Sequence, residues 1–387
     1  MTDAEVIVAG GGPAGAATAA QLGADGVHVL VLDRAAFPRD KACAEFLSPG
    51  AVAALERLGV LPAAAAAGAW HEGMRIVGGN GSFTARYREG RRGLGIARPV
   101  LDHLLLERAR AAGAEIRERT DVAGALVEDG YVTGVRLRDG EALRARFVVA
   151  ADGLRSPVAR SLGLERKTRL PRRLGLVARV RGVPPSGLGV MAVGRGGYCG
   201  VAAVGGGEAS VGVAVSPGTR REGESADELF ERMLASIPAA REAVAGAPRV
   251  TAIRGVAPLA RRVSRVSGPG YLLVGDAAGF TDPFTGEGIH RALRGAELAA
   301  AAARRALARS DREPVGYAAA RHEAFAAKER ACLVLQAALA WPTLFDYCLR
   351  RAETRERVAR VLTGVFGDYL PAEAALRPAL VAELVRP

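Results

Sequence analysis

The chain has 387 residues, 49% hydrophobic and 24% charged, a balance that excludes disorder and suits two packed domains or one large domain with a cap. No unbroken apolar run reaches the roughly 18 residues of a spanning helix; the segment 331–349 comes nearest and is interrupted by Gln336, Pro342 and Asp346. The net charge is +12, but the basic residues, all arginine except Lys41, Lys167 and Lys328, are scattered without interleaved aromatics, so nucleic acid is not an expected partner.

In chain order, residues 5–9 form an apolar run that reads as a buried strand. Gly10, Gly12 and Gly15 follow with GxGxxG spacing, then an alanine-rich helical stretch to about Leu22. A second apolar run, 27–32, ends at Asp33. Together these make a βαβ unit with a dinucleotide-binding turn. Gly10 allows the tight turn, Gly12 lets the backbone approach a pyrophosphate, and Gly15 lets helix and strand pack closely. The helix start offers unpaired N–H groups and a positive dipole end, and Asp33 is placed to accept from a ribose diol. The opening residues carry no basic stretch before an apolar one, so no export signal is expected and the cytoplasm is the default. The cysteines at 43, 199, 332 and 348 lack metal-ligand spacing, so no metal site is expected.

Residues 97–113 read as a helix closed by Gly113, and 122–143 as a β-meander with turns at Asp129-Gly130 and Asp139-Gly140. An apolar strand then runs into Asp152-Gly153, with Ser156 and Pro157 starting a helix. The texture of 172–256 differs: β-rich runs separated by Gly and Pro, with one helical stretch near 226–237. Joined with 70–87, it reads as a separate antiparallel sheet, with Tyr198, Phe83 and Met191 expected at its cavity. The next strand, 271–274, ends in Gly275-Asp276. Pro283, Gly286 and Gly288 form a loop before a long helix to about Arg309, a geometry that lets backbone lie flat on a planar ring and aims a helix N-terminus at it. Beyond about Glu313 the chain reads as helical, punctuated by Pro342 and Pro371. Leu333, Leu335, Leu339, Leu344 and Phe345 form a stripe that suits core packing or a peripheral membrane contact.

These three motifs, in this order, resemble the para-hydroxybenzoate hydroxylase-type flavoprotein superfamily. The resemblance implies an α/β fold: a Rossmann-like FAD/NAD(P)-binding three-layer domain (1–69, 96–171, 257–312), an antiparallel β-sheet substrate domain (70–95, 172–256) and a C-terminal helical region (313–387). It assigns FAD contacts to Gly10, Gly12, Pro13, Ala14, Gly15, Asp33 and Arg34 at the adenosine end. Lys41, Ala42, Cys43, Arg98 and Val122 follow, then Asp152, Gly153, Gly275, Asp276, Pro283, Gly286, Gly288 and Ile289. The segment from Phe37 to Cys43, followed by Leu47 to Gly59, is similar to the branch of geranylgeranyl reductases and polyketide-associated flavoproteins. Ala44, Glu45 and Phe46 stand where reductases of that branch carry glycines. The strand after Tyr198 lacks their tryptophan and Phe-Pro.

These departures favour an FAD-dependent monooxygenase drawing on NADH or NADPH and O2 to hydroxylate an aromatic or polyketide-type hydrophobic molecule. A reductase saturating isoprenoid double bonds is the alternative, and a non-catalytic flavin- or lipid-binding protein a further one. A partner reductase is an alternative electron source. Tyr198 and Glu45 are the acid–base candidates, with His71 and His290 behind them.

Overall fold

The computed structural model describes residues 2–168, 172–184 and 186–385; the middle of the basic run 166–173 lies outside them. The expected βαβ unit forms: strand Ala4–Ala9, helix Pro13–Ala24 and strand Val29–Leu32. Ala4–Ala9 pairs in parallel with Val29–Leu32 on one side and Ala142–Ala150 on the other. Tyr271–Leu273 and Glu115–Arg117 extend the parallel sheet outward. Strands buried on both faces carry unbroken apolar sequence, as Val6 to Ala9 and Phe147 to Ala150 do.

One face of this sheet is covered by three helices, Pro13–Ala24, Arg98–Ala111 and Gly288–Ala308, in a single apolar cluster. Their alanine richness has a packing consequence, since small side chains let helix axes approach. The opposite face is covered by the meander Val122–Glu128 and Tyr131–Leu137, which folds back antiparallel onto Ala142–Ala150.

A second sheet stands over the C-terminal ends of the parallel strands. Its order is Arg254–Val256, Leu174–Arg181, Glu208–Val215, Gly197–Gly205, Leu188–Gly194, Gly73–Val77 and Ser82–Arg86. Two details depart from the sequence reading. Gly73–Val77 joins Leu188–Gly194 in parallel, so the roof is mixed rather than antiparallel throughout. Trp70 belongs instead to a small sheet in which Ala69–His71 and Phe46–Leu47 flank Gly93–Gly95. At the sheet's edge Arg254–Val256 is a strand, and Arg249 makes an isolated bridge to Val180.

The chain ends in helices Tyr317–Leu339, Pro342–Thr354, Glu356–Phe366 and Pro378–Val385. Among the described residues no single helix is long and apolar enough to cross a membrane. The apolar stripe divides: Phe345 is buried and Leu335 and Leu339 pack beside it, whereas Leu333 and Leu344 are exposed together with Val334 and Trp341.

Candidate flavin-binding site

At the first turn, Gly15 has no room for a side chain: a Cβ there would stand 1.8 Å from the carbonyl oxygen of Gly10. Gly10 itself has φ +101°, in the region that favours glycine. Asp33 ties the turn down, Oδ2 accepting from Gly11 N–H at 2.8 Å and Oδ1 from Ala35 N–H at 2.8 Å. Each carboxylate oxygen keeps acceptor capacity beyond these bonds, and Asp33 lines the cleft with Gly10, Arg34, Val122 and Asp152. This nucleotide end has a volume of about 840 Å³.

Cations gather where the helix begins. A Cβ on Gly12 would find Arg39 Nη2 at 3.6 Å and Arg98 Nη2 at 3.9 Å. Both guanidiniums are held by one buried carboxylate, Asp102. Arg98 grips it with Nε and Nη2, each at 2.7 Å, and Arg39 Nη1 donates at 2.9 Å. Burial pulls the Arg98 pKa down, but Asp102 outweighs it and holds the group above its ordinary value. Lys41 faces the open cleft although it sits deep in the protein; that depth, then Arg98, lowers its pKa. Two guanidiniums and a helix N-terminus converge on Gly12, and the Lys41 ammonium stands 3.2 Å from where a Cβ on Gly153 would lie; such an arrangement suits a diphosphate. Asp102 was missed in the sequence, where the i, i+4 spacing from Arg98 was its one signal.

The cleft continues into a second chamber of about 210 Å³. The two share Gly12, Lys41, Ala42, Ala151, Leu154 and Val256, so they form one elongated channel. Pro13, Ala14, Cys43, Gly153, Gly275 and Asp276 line the chamber, as do Pro283, Gly286, Gly288 and Ile289 from the loop and helix start. Gly15 lies behind the turn. Met191 and Tyr198 reach the chamber from the roof, as expected; Phe83 does not, being packed in the core near Phe345. The residues fit FAD end to end: Asp33 would accept from a ribose, Arg39 and Arg98 would pair with the diphosphate, and the loop at Gly286 and Gly288 would lie against a flat ring.

Glu45 and Tyr198 both line this chamber. Glu45 is buried at φ +58°, a strained position for a side-chain-bearing residue. Its Oε1 accepts from Arg98 N–H at 2.8 Å and from Arg179 Nη1 at 3.2 Å, while Oε2 has no partner. Burial raises its pKa. Tyr198 donates to Asp282 Oδ1 at 2.6 Å, and Arg173 Nη1 meets Asp282 Oδ2 at 2.6 Å. Burial, then Asp282, pushes the phenol well above its usual range. Asp152 is lifted to about 6 by burial, against hydrogen bonds from Ser156 and from Val158 N–H, which Oδ2 accepts. His71 is structural, bonded to the Ala203 carbonyl at 2.9 Å.

The loop is braced from behind by two acids absent from the sequence reading. Asp282 links through Arg173 to Gln336. Glu287 meets Arg291 at 3.4 Å and Lys328 at 3.6 Å. Lys328 also pairs with Asp368 at 2.7 Å, and His290 stands 3.5 Å from the same carboxylate. The helix Tyr317–Leu339 thus fixes both ends of the loop.

A family model described as FAD binding domain matches residues 3–308. The menaquinone reductase of Mycolicibacterium smegmatis is 32% identical over 77% of this chain and 76% of its own length. The digeranylgeranylglycerophospholipid reductase 1 of Methanopyrus kandleri is 35% identical over 75% of this chain and 77% of its own. Among solved structures, the flavin-dependent brominase Bmp2 superposes with a TM-score of 0.84 at 19% identity, covering 98% of each chain, which speaks to the fold alone. With its cradle, channel and ring loop matched by that model, the chain belongs to the FAD binding domain family and is an FAD-dependent oxidoreductase.

Proposed function

We propose that this chain reduces a carbon–carbon double bond of an apolar, isoprenoid-type molecule, with NADH or NADPH as the source of electrons. The observation that carries the reading is the apolar space of about 60 Å³ abutting the ring loop, lined by Phe46, Met74, Ile76, Tyr87, Phe284 and Phe366 among others. It shares Ala44, Met191, Gly200, Pro283 and Gly286 with the main chamber. Apolar walls exclude water and orient a greasy substrate by contact alone. Relatives named as reductases, above 30% identity over three quarters of the chain, support the same reading.

Saturating a double bond takes a hydride to one carbon and a proton to the other. FAD, once reduced, supplies the hydride equivalent. The chain's part is to hold the double bond against the loop and to provide the proton. Glu45 is suited to donate it, because it lines the chamber and burial raises its pKa, favouring the protonated carboxyl. Tyr198 is the other candidate, with its hydroxyl engaged by Asp282.

A second reading, hydroxylation of an aromatic or polyketide-type substrate with O2, is favoured by the loss of the tryptophan and Phe-Pro after Tyr198. Incubation with NAD(P)H and prenyl or phenolic substrates, with and without oxygen, decides between them. Anaerobic product gaining two hydrogens supports reduction. Product that forms only in air and carries an atom of O2 supports hydroxylation. A flavin that stays oxidised with either nucleotide and in the presence of a partner reductase would leave the binding-protein reading. The exposed Val334, Trp341 and Leu344 offer a place for a peripheral membrane contact.

A further inference from the structure

Lys328 and Asp368 lie beyond residue 308, where the family match ends, yet they reach the start of the helix that follows the ring loop. Glu287 stands at the N-cap of Gly288–Ala308, between the two glycines that line the ring chamber. It is 3% exposed, and its Oε2 has no hydrogen-bond partner among the described residues. Two cations face it: Lys328 Nζ is 3.6 Å from Oε2, and Arg291 Nη1 is 3.4 Å from Oε1. Arg291 is shared with Glu329, which it meets at 2.5 Å. The Cys332 thiol, pushed up to about 12 by burial and then by Glu287, stays neutral and donates to Oε1 at 3.6 Å.

Lys328 is itself held from the C-terminal side. Nζ donates to the Val365 carbonyl and to Asp368 Oδ1, the latter at 2.7 Å. Asp368 also accepts from Ser48 Oγ at 2.6 Å and faces His290 at 3.5 Å. Its backbone has φ +58°, a costly region for a residue with a side chain. The turn seats tightly on the helix Pro49–Arg57: Gly50 N–H donates to the Gly367 carbonyl at 2.9 Å, and a Cβ on Gly50 would stand 2.6 Å from the Asp368 carbonyl oxygen. Burial pushes the Asp368 carboxyl up, but Lys328 and then His290 outweigh it and hold the group well below its ordinary range. Burial pulls Lys328 down, and Asp368 and Glu287 outweigh it in the same way. Both groups are therefore charged.

A helix N-terminus carries about half a positive charge, and an acid placed there is drawn to it and cancels its field. Glu287 takes that place on the helix whose first residues, Gly288 and Ile289, line the ring chamber. A cation behind the acid restores the field. We propose that Lys328 is a positioning residue that acts through Glu287: by opposing this carboxylate at the helix start it sets the reduction potential of the bound flavin, so that the C-terminal region tunes the redox centre. The inference goes beyond the reaction proposed above and holds for reduction and hydroxylation alike.

The test is anaerobic titration of the holoprotein with dithionite beside a redox dye of known potential, which needs neither nicotinamide nor substrate and so stands apart from the proposed reaction. Glu287→Gln removes the acid and should raise the midpoint potential; Lys328→Met removes the cation and should lower it. The expected size is a tenfold change in the ratio of affinities for reduced and oxidised FAD, about 30 mV for a two-electron couple. A unit charge exerts an effect of that size on another about 12 Å away at an effective dielectric constant of about 20. Glu287→Gln and Lys328→Met together should return the potential to near the unmodified value, whereas mere loosening of the loop would move both single variants the same way. Glutamine keeps the shape of Glu287 and an oxygen for Arg291, so Glu287→Gln decides alone if Lys328→Met does not fold. An unchanged potential in Glu287→Gln, or shifts of the same sign in the two single variants, would overturn the proposal.

Discussion

Asp152→Asn isolates the cost of placing a carboxylate at the end of a buried strand. Burial lifts the Asp152 pKa from 3.8 to about 6, against hydrogen bonds from Ser156 and Val158 and the attraction of Arg261. Because the folded-state pKa is above the unfolded one, the folded chain binds the extra proton between pH 3.8 and about 6. Stability therefore rises as pH falls through that window, and the penalty is fully present above it. At about 1.4 kcal/mol per pH unit the penalty is on the order of 3 kcal/mol at pH 8, shrinking to about 1 kcal/mol at pH 4.5. Asparagine keeps an oxygen to accept from Val158 N–H and removes the charge. With an unfolding entropy of about 2.1 cal/mol/K per residue, the gain amounts to about 4 °C in Tm at pH 8 and about 1 °C at pH 4.5. Thermal unfolding of the flavin-free full-length chain at the two pH values measures it. A gain that is the same at both, or a loss at pH 8, would refute the attribution to desolvation.

Four further outcomes follow from the site. Gly15→Ala drives a methyl against the Gly10 carbonyl, where ordinary contact needs nearly twice the 1.8 Å available; overpacking of about 1–3 kcal/mol should weaken FAD at least about tenfold in a fluorescence titration. Arg98→Met leaves the buried Asp102 with Arg39 alone; a loss of about 3 kcal/mol is expected in denaturant unfolding, and Arg98→Met, Asp102→Leu together should restore stability while FAD affinity stays low. Glu45→Gln should slow substrate turnover by roughly 10²-fold or more while flavin reduction by NAD(P)H proceeds near the unmodified rate. Tyr198→Phe, which keeps the edge contact with Phe284 at 5.0 Å, should cost about 1 kcal/mol of stability and little turnover; the reverse pattern would move the proton donor to Tyr198.

The parts of this molecule legible in the sequence are those in which backbone geometry dictates residue type over a short span. Gly10 and Gly15 are fixed by a turn and a close contact, each resolved within six residues, and the strands entering Asp152-Gly153 and Gly275-Asp276 are apolar because helices or meander cover both sheet faces. Helix ends were similarly local: Ser156 caps Pro157–Ser161 by accepting from Ala159 N–H. The C-terminal region shows the limit of such signals, since helix Pro342–Thr354 ends at Arg355 with no proline or glycine to mark it. Phe83 was misplaced for a related reason. An aromatic on a roof strand can face either side, and here Phe345, brought from the distant C-terminal helices, shares its cluster.

What the sequence concealed is almost entirely ionic, and the reason is separation along the chain. Arg173 meets Asp282 across 109 positions, and Glu45 meets Arg179 across 134. No periodicity connects such pairs, because charge complementarity is tested only after the chain has folded. The +12 charge is the sharpest case. As composition it looks like an arginine bias spread evenly over the chain, and evenness argued against a nucleic-acid partner. In three dimensions the segments 155–160, 166–168 and 261–262, with Arg172, converge on one groove that has a single opposing carboxylate among the described residues. A net charge is a sum, whereas binding depends on the local field, and a fold can gather a strong field from residues that are unremarkable in their order. The same reasoning applies in reverse at Asp102: one acid, between Arg98 and Arg108 in the sequence, aims two guanidiniums at the helix start beside Gly12.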